Sequence, residues 1–156
     1  MARPSSPALL KFLMNVWPPF WGAGIKVRHI AADFREVRVE MPLTWRNRNY
    51  VGAHFGGSLY AMTDPFFMLM VMRNLSAEYL VWDKAASIDY VAPGRGTVSA
   101  RFVLEPRDLA QIEAATASGD KHLHVFKTEV CDQAGLTVAR IEKIVYVRKK
   151  KRKEVS

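Results

Sequence analysis

Hydrophobic and polar positions alternate most cleanly in the second half of the chain. Val98, Ala100, Phe102 and Leu104 share one phase, and Lys121 to Cys131 keeps the same period of two. Thr137 to Val147 repeats the pattern after Ala134-Gly135, a pair suited to a hairpin turn. Ala86, Ile88, Tyr90 and Ala92 alternate with Ser87, Asp89 and Val91 up to a turn at Pro93-Gly94. Nearer the start, Val37, Val39 and Met41 alternate with Glu36, Arg38 and Glu40 until Pro42, and Ile25 and Val27 begin another extended piece after a turn at Gly22-Ala-Gly24. One apolar phase per segment predicts half-buried strands of an antiparallel sheet, about five in all.

Three segments break this rhythm. Leu9, Leu10, Leu13, Met14 and Trp17 recur at helical spacing and predict an amphipathic first helix that stops before Pro18-Pro19. Its apolar side can pack on the sheet or lie on a membrane surface, and packing is the favoured reading. Ser58 to Asn74 is apolar nearly all round, which predicts a central helix buried on most faces. Asp64 is its only charged side chain before Arg73, and a carboxylate buried alone is costly, so it needs a partner or a purpose. Asp108 is placed to cap a short helix from Leu109 to about Thr116, with Gly119 just beyond. Trp45 to Phe55 reads as a long polar loop, and a linking stretch runs from Asn74 to Asp83. A single apolar helix against such a sheet makes the fold α+β.

At 156 residues and 49% hydrophobic content, the chain suits one domain with a sizeable core. The expected division is a domain over residues 1–147, of which 1–24 are the first helix and turn, and a basic tail over 148–156. Cys131 is the only cysteine, which excludes an intramolecular disulfide framework and a Cys-rich zinc site and makes a reducing cytoplasm the simplest setting. The net charge of +8 sits mostly at the C-terminus: setting aside Arg148 to Glu154 leaves 17 basic and 14 acidic residues. That run reads as a solvated terminus, open to contact with an anionic membrane surface. Without aromatic–basic interleaving, no nucleic-acid partner is expected. The longest apolar stretch, Pro65 to Met72, falls short of the roughly 20 residues that a spanning helix needs.

Candidate chemistry is sparse. Ser58 has no surrounding nucleophile-elbow pattern, and no phosphate-cradling loop is present. His122 and His124 share a strand face two residues apart, but no nearby carboxylate has a spacing that supports a metal site, and His29 with Asp33 lacks the setting of a metal helix, so no metal site is expected. Met62, Met68, Met70 and Met72 fit a core stripe or the wall of a pliable acyl tunnel. Gly56-Gly57 is either a tight turn or a helix start whose free N–H groups suit a developing oxyanion. Asp64 before Pro65 is either a helix N-cap or a base held in apolar surroundings.

The segment Asn49-Tyr-Val-Gly-Ala-His-Phe-Gly-Gly-Ser-Leu-Tyr-Ala-Met-Thr-Asp64 resembles the signature of hotdog-fold acyl-CoA thioesterases of the phenylacetate-pathway type. Asn49, Gly52, Gly56, Gly57 and Asp64 fall at that family's spacing, and Ser87-Ile-Asp-Tyr-Val-Ala-Pro-Gly resembles the strand after its central helix. Phe55 stands where the family has histidine, with His54 one residue earlier, and Pro65 follows Asp64, a wording close to an uncharacterised branch. The resemblance implies a sheet wrapped around the central helix, with an extra N-terminal helix here. It also implies side-by-side pairing of subunits, as a homodimer or dimer of dimers, with sites at the interface and no cofactor. Gly56 would polarise the thioester carbonyl, Asp64 would activate water or attack, and Asn49 would hold water or substrate. Beyond these three roles, Gly57, His54, Phe55, Ser87 and Arg95 are candidate contacts to an acyl-CoA or acyl-carrier thioester, and the position of Arg95, Arg73 and Lys84 near predicted strand and helix ends makes them candidate phosphate partners. The alternative is a non-catalytic hotdog protein that binds acyl-CoA or lipid-like ligands.

Overall fold

The computed structural model describes residues 6–150. Two helices, α1 (Pro7–Val16) and α2 (Pro18–Ala23), precede the strands β1 (Lys26–Ile30) and β2 (Glu36–Pro42). The central segment forms α3 (Gly56–Ala61) and α4 (Phe66–Asn74), followed by β3 (Tyr79–Tyr90) and β4 (Thr97–Val103). Helix α5 (Pro106–Ala115) leads to β5 (Lys121–Cys131) and β6 (Thr137–Lys149). The six strands make one antiparallel sheet in the order β1-β2-β4-β5-β6-β3, which leaves β1 and β3 as its edges.

The alternation read from the sequence decides which side chains meet. Val37, Val39, Met41, Val98, Ala100, Phe102, Ile141, Val145 and Val147 are all buried and form one core with Phe66, Phe67 and Met70 of α4. Phe67 stacks on Phe126 with ring centroids 4.5 Å apart, and its edge meets Phe102 at 5.3 Å. Each such aromatic burial contributes roughly 1.5–3 kcal/mol. Met62 and Met70 belong to this core, while Met68 and Met72 are only half-buried.

Several boundaries differ from expectation, each for a local reason. The central helix is two helices, because Pro65 has no N–H to continue the ladder from Ala61 and Thr63 turns its hydroxyl back to the Tyr60 carbonyl at 2.8 Å. Pro18-Pro19 opens α2 instead of a plain turn, since proline suits the first helical position, and Gly24 closes it in the left-handed region at φ 73°. Helix α5 starts at Pro106: Glu105 is the cap, and the Asp108 side chain accepts from the Glu105 N–H at 2.9 Å. Strand β3 begins at Tyr79, ahead of Asp83, because β6 runs on to Lys149 and pairs with it there. Arg148 and Lys149 are therefore strand residues, not tail, and Lys150 donates its amide to Glu78 O at 2.8 Å. The rest of the basic run lies outside the described residues.

Helix α1 is rotated from the expected face. The Asn15 side chain brackets Val27 of β1, accepting from its N–H at 2.8 Å and donating to its carbonyl at 3.1 Å. That clamp turns Leu10 and Met14 toward the body and leaves Leu9, Leu13 and Trp17 outside.

Candidate active site

The loop before α3 is built around two asparagines. Asn47 is buried, and its side chain accepts from Thr44 N–H at 2.8 Å and donates to Ala23 O at 2.8 Å and Pro42 O at 2.9 Å. Asn49 accepts from the amides of Val51 and Ala53 at 3.1 and 3.0 Å and donates to His54 O at 3.3 Å. Gly52 turns the chain between them at φ 80°. Phe55 N–H then bonds Asn47 O at 2.7 Å, which delivers the chain into α3 at Gly56. Asn49 thus shapes the loop, with its amide oxygen spent on the backbone.

Phe55 caps α3 through its carbonyl alone, which takes Ser58 N–H and Leu59 N–H. Among the described residues no acceptor is in place for the amides of Gly56 and Gly57. A side chain at either glycine would force a neighbouring ring to move. A methyl carbon at Gly57 would collide with the Phe55 ring, and one at Gly56 would lie 2.7 Å from Tyr90 Oη. Beside them runs a cleft of about 530 Å³ lined by Asn49, Val51, His54, Phe55, Leu59, Tyr90 and the chain as far as Gly94. For Gly56→Ala we expect Tyr90, half-exposed, to swing aside at a stability cost of about 1 kcal/mol or less. The cost is read from the melting temperatures of the two proteins.

His54 is buried in the cleft wall. Its Nε2 lies 3.0 Å from Gly96 O and so carries the proton, while Nδ1 is buried without a partner. Burial holds the imidazole below its ordinary pKa of 6.5, and the Gly96 carbonyl offsets only part of this. The unfolded chain therefore takes up this proton first. The resulting stability is complete above about pH 6.5 and is lost as the pH falls through the folded value. His122, lowered by burial and by neighbouring His124, acts in the same sense. The melting temperature is expected to fall from about pH 7 to about pH 5, and less steeply in His54→Gln.

Asp64 stands apart from this cleft. Its side chain is not a cap; Oδ1 accepts from Lys143 Nζ at 2.6 Å. Lys143 is only 1% exposed and also meets Asp83 Oδ2 at 3.2 Å, with the Tyr60 ring 5.7 Å away. Burial pulls the Lys143 ammonium down, but Asp64 and Asp83 outweigh it and hold the group above the usual lysine range. Burial pushes the Asp83 carboxyl up, and Lys143 offsets this only in part. The expected apolar setting of Asp64 is thus an ion cluster, with the Asp64 side chain 46% exposed.

Other expected contacts divide. Arg95 follows the last lining residue, Gly94, and does not itself line the cleft; its guanidinium lies by the Gly52 turn, 3.9 Å from where a Gly52 side chain would begin. Ser87 lies elsewhere, in a cleft of about 540 Å³ with Thr128, Arg140 and Glu142, because the β3 register turns it away from Gly56. Arg73 is stacked on Phe34 at 4.2 Å, at the far end of α4, and Lys84 is an exposed residue at the β3 bulge. The fold brings a carboxylate to the histidine pair after all: His122 and His124 are 3.2 Å apart, with Asp108 3.4 Å from His124. Among the described residues no cluster of three or more such groups is arranged to hold a metal ion. Tyr90, Asp83 and Lys143 are the residues that sequence reasoning missed. For Lys143 a signal existed, since it stands in phase with Ile141, Val145 and Val147.

Solved structures share this architecture. A Pseudomonas aeruginosa protein described as a probable thioesterase superimposes with a TM-score of 0.81 at 18% identity, over 96% of this chain and 98% of that one. A Haemophilus influenzae thioesterase gives 0.68 at 14% identity, covering 98% and 97%. A phenylacetic acid degradation protein of Thermus thermophilus gives 0.58 at 25% identity, covering 83% and 97%. The fold is therefore the hotdog fold, α+β with a six-stranded antiparallel sheet around a central helical segment. No curated protein matches the chain. Residues 6–147 match the family described as "Domain of unknown function (DUF4442)", and the chain belongs to that family.

Proposed function

We propose that the chain is an acyl thioester hydrolase, working without a cofactor, whose site is shared between two copies. The observation that carries this reading is the pair of unpartnered amides at Gly56 and Gly57, beside a cleft with apolar walls. Adjacent N–H groups without acceptors suit an oxygen that gains negative charge, as a thioester carbonyl does when water adds to its carbon. The solved relatives described as thioesterases support the same chemistry. Val51, Phe55, Leu59 and Tyr90 offer apolar surface to an acyl group, and Arg95, outside the cleft beside the Gly52 turn, would offer a cation to coenzyme A phosphates.

Asp64 joins this site through symmetry. Strand β3 is a free sheet edge, with its backbone groups open to another strand. Tyr90, against Gly56, ends β3, and Asp83, joined to Asp64 through Lys143, lies seven positions earlier, roughly 23 Å along an extended strand. A two-fold antiparallel pairing centred between Ala86 and Ser87 sets Asp83 of one copy opposite Tyr90 of the other. Each Asp64 then serves the cleft of the other copy. Its Oδ2, which Lys143 leaves unused, takes a proton from water as the water oxygen bonds to the carbonyl carbon. Gly56 and Gly57 hold the oxyanion, the C–S bond breaks, and the thiolate leaves with the proton, giving acid and thiol.

Thiol release from a panel of short, medium, long and aromatic acyl-CoAs tests the reading. Turnover of at least one class, lost in Asp64→Asn, is the expected result. Phe55, which brings no acid–base group to the position of the family histidine, favours one rival. Tight acyl-CoA binding with no thiol release would make the protein a carrier instead of an enzyme.

A further inference from the structure

We propose that the outer face of α1 and α2 is a docking surface for a bilayer that contains anionic lipid. Leu9, Phe12, Leu13, Val16, Trp17 and Trp21 are all exposed, at spacings that put the helical ones on one stripe; Phe12 is 61% and Trp21 65% accessible. The Asn15 clamp on β1 fixes this stripe outward, so it is not a core face waiting to close. Solvent-facing apolar area of this kind marks a contact surface, and tryptophan favours the boundary between headgroups and acyl chains.

Charge selects the occupant. No Asp or Glu occurs in residues 1–32 or 41–63, the segments that supply α1, α2, the start of β1 and the loop beside them. Lys11, Lys26, Arg46 and Arg48 lie in those segments; Arg28 does too, but is paired with Glu40 at 2.7 Å. The Arg46 guanidinium sits 5.4 Å over the exposed Trp21 ring, which places a cation on the apolar face itself. Apolar side chains with cationic neighbours and no acid match a layer of acyl chains under negative headgroups. Helix α1 would span about 15 Å, enough to lie in the headgroup plane, and no helix among the described residues is long and apolar enough to cross. The face also lies by β1, at the sheet edge opposite β3, so pairing through β3 leaves it uncovered.

Flotation of the full chain with phosphatidylcholine vesicles, with and without phosphatidylglycerol, tests this. Binding is expected only where the anionic lipid is present. The triple variant Phe12→Ser, Trp17→Ser, Trp21→Ser should lose at least about tenfold in partitioning while its far-ultraviolet circular dichroism stays that of the folded chain. Removal of residues 151–156 should leave binding that still depends on the three aromatic residues. In a chain carrying Trp45→Phe and Trp82→Phe, the two remaining tryptophans should shift to the blue with vesicles and be quenched by brominated acyl chains. Three results would each overturn the proposal: full binding by the triple variant, no spectral shift, or a triple variant that is smaller in solution without vesicles. The last would make the face a contact between copies.

Discussion

Asp64→Asn should lower acyl-CoA hydrolysis by roughly 10²–10⁴-fold, the usual range for losing a positioned general base. Folding should survive, because asparagine still offers an oxygen to Lys143, and Lys143 keeps Asp83 as counter-charge. The more telling result comes from mixing. Gly56→Val places a branched side chain against Tyr90 and closes the cleft of its own chain while leaving Asp64 intact. Each variant alone should be inactive. Refolded together in equal amounts, they should recover about a quarter of the unaltered activity, since half the random dimers are mixed and each holds one intact site. A mixture that stays inactive would mean that Asp64 does not act across a β3 pairing.

Lys143→Met should be the most destabilising single change at a polar position. Among the described residues it removes the one cation paired with Asp83, whose Oδ1 is already buried without a partner, and sets that carboxylate against Asp64. Stranding a buried charge costs about 3–5 kcal/mol, and the partial exposure of Asp64 argues for the lower end. About 3 kcal/mol corresponds to a fall of roughly 10 °C in melting temperature. The deficit should shrink at acidic pH, where protonation relieves the unpaired carboxylates. Adding Asp83→Leu should restore much of the loss, because apolar packing replaces a broken ion pair well. A single variant within about 1 kcal/mol of the unaltered chain would refute the role given to the cluster.

The sheet was legible because its strands carry their own instructions. Val98-Ala100-Phe102 and Val37-Val39-Met41 each announce a buried face, and those faces meet across α4. The start of β3 at Tyr79 was not legible, since it depends on pairing with Lys149, some seventy residues away in the chain. The site divides in the same way. Gly56, Gly57, His54 and Asn49 are neighbours in sequence, so spacing could reveal them. The opposite wall, Tyr90 to Gly94, and the Asp83–Lys143 pair arrive by tertiary contact. Lys143 could have been found: a lysine in phase with buried Ile141 and Val145 must meet a carboxylate inside or unfold the sheet.

The two jaws of the cleft differ in stiffness. Asn47 holds Ala23, Pro42 and Thr44 with one side chain, and its own carbonyl takes the Phe55 amide. The glycine amides are thereby tied to the end of α2 through Asn47. Among the described residues nothing comparable latches the Tyr90 ring, which lies half in solvent. Any widening of the cleft then falls to Tyr90, while the Asn47 side works as an anvil that keeps its shape.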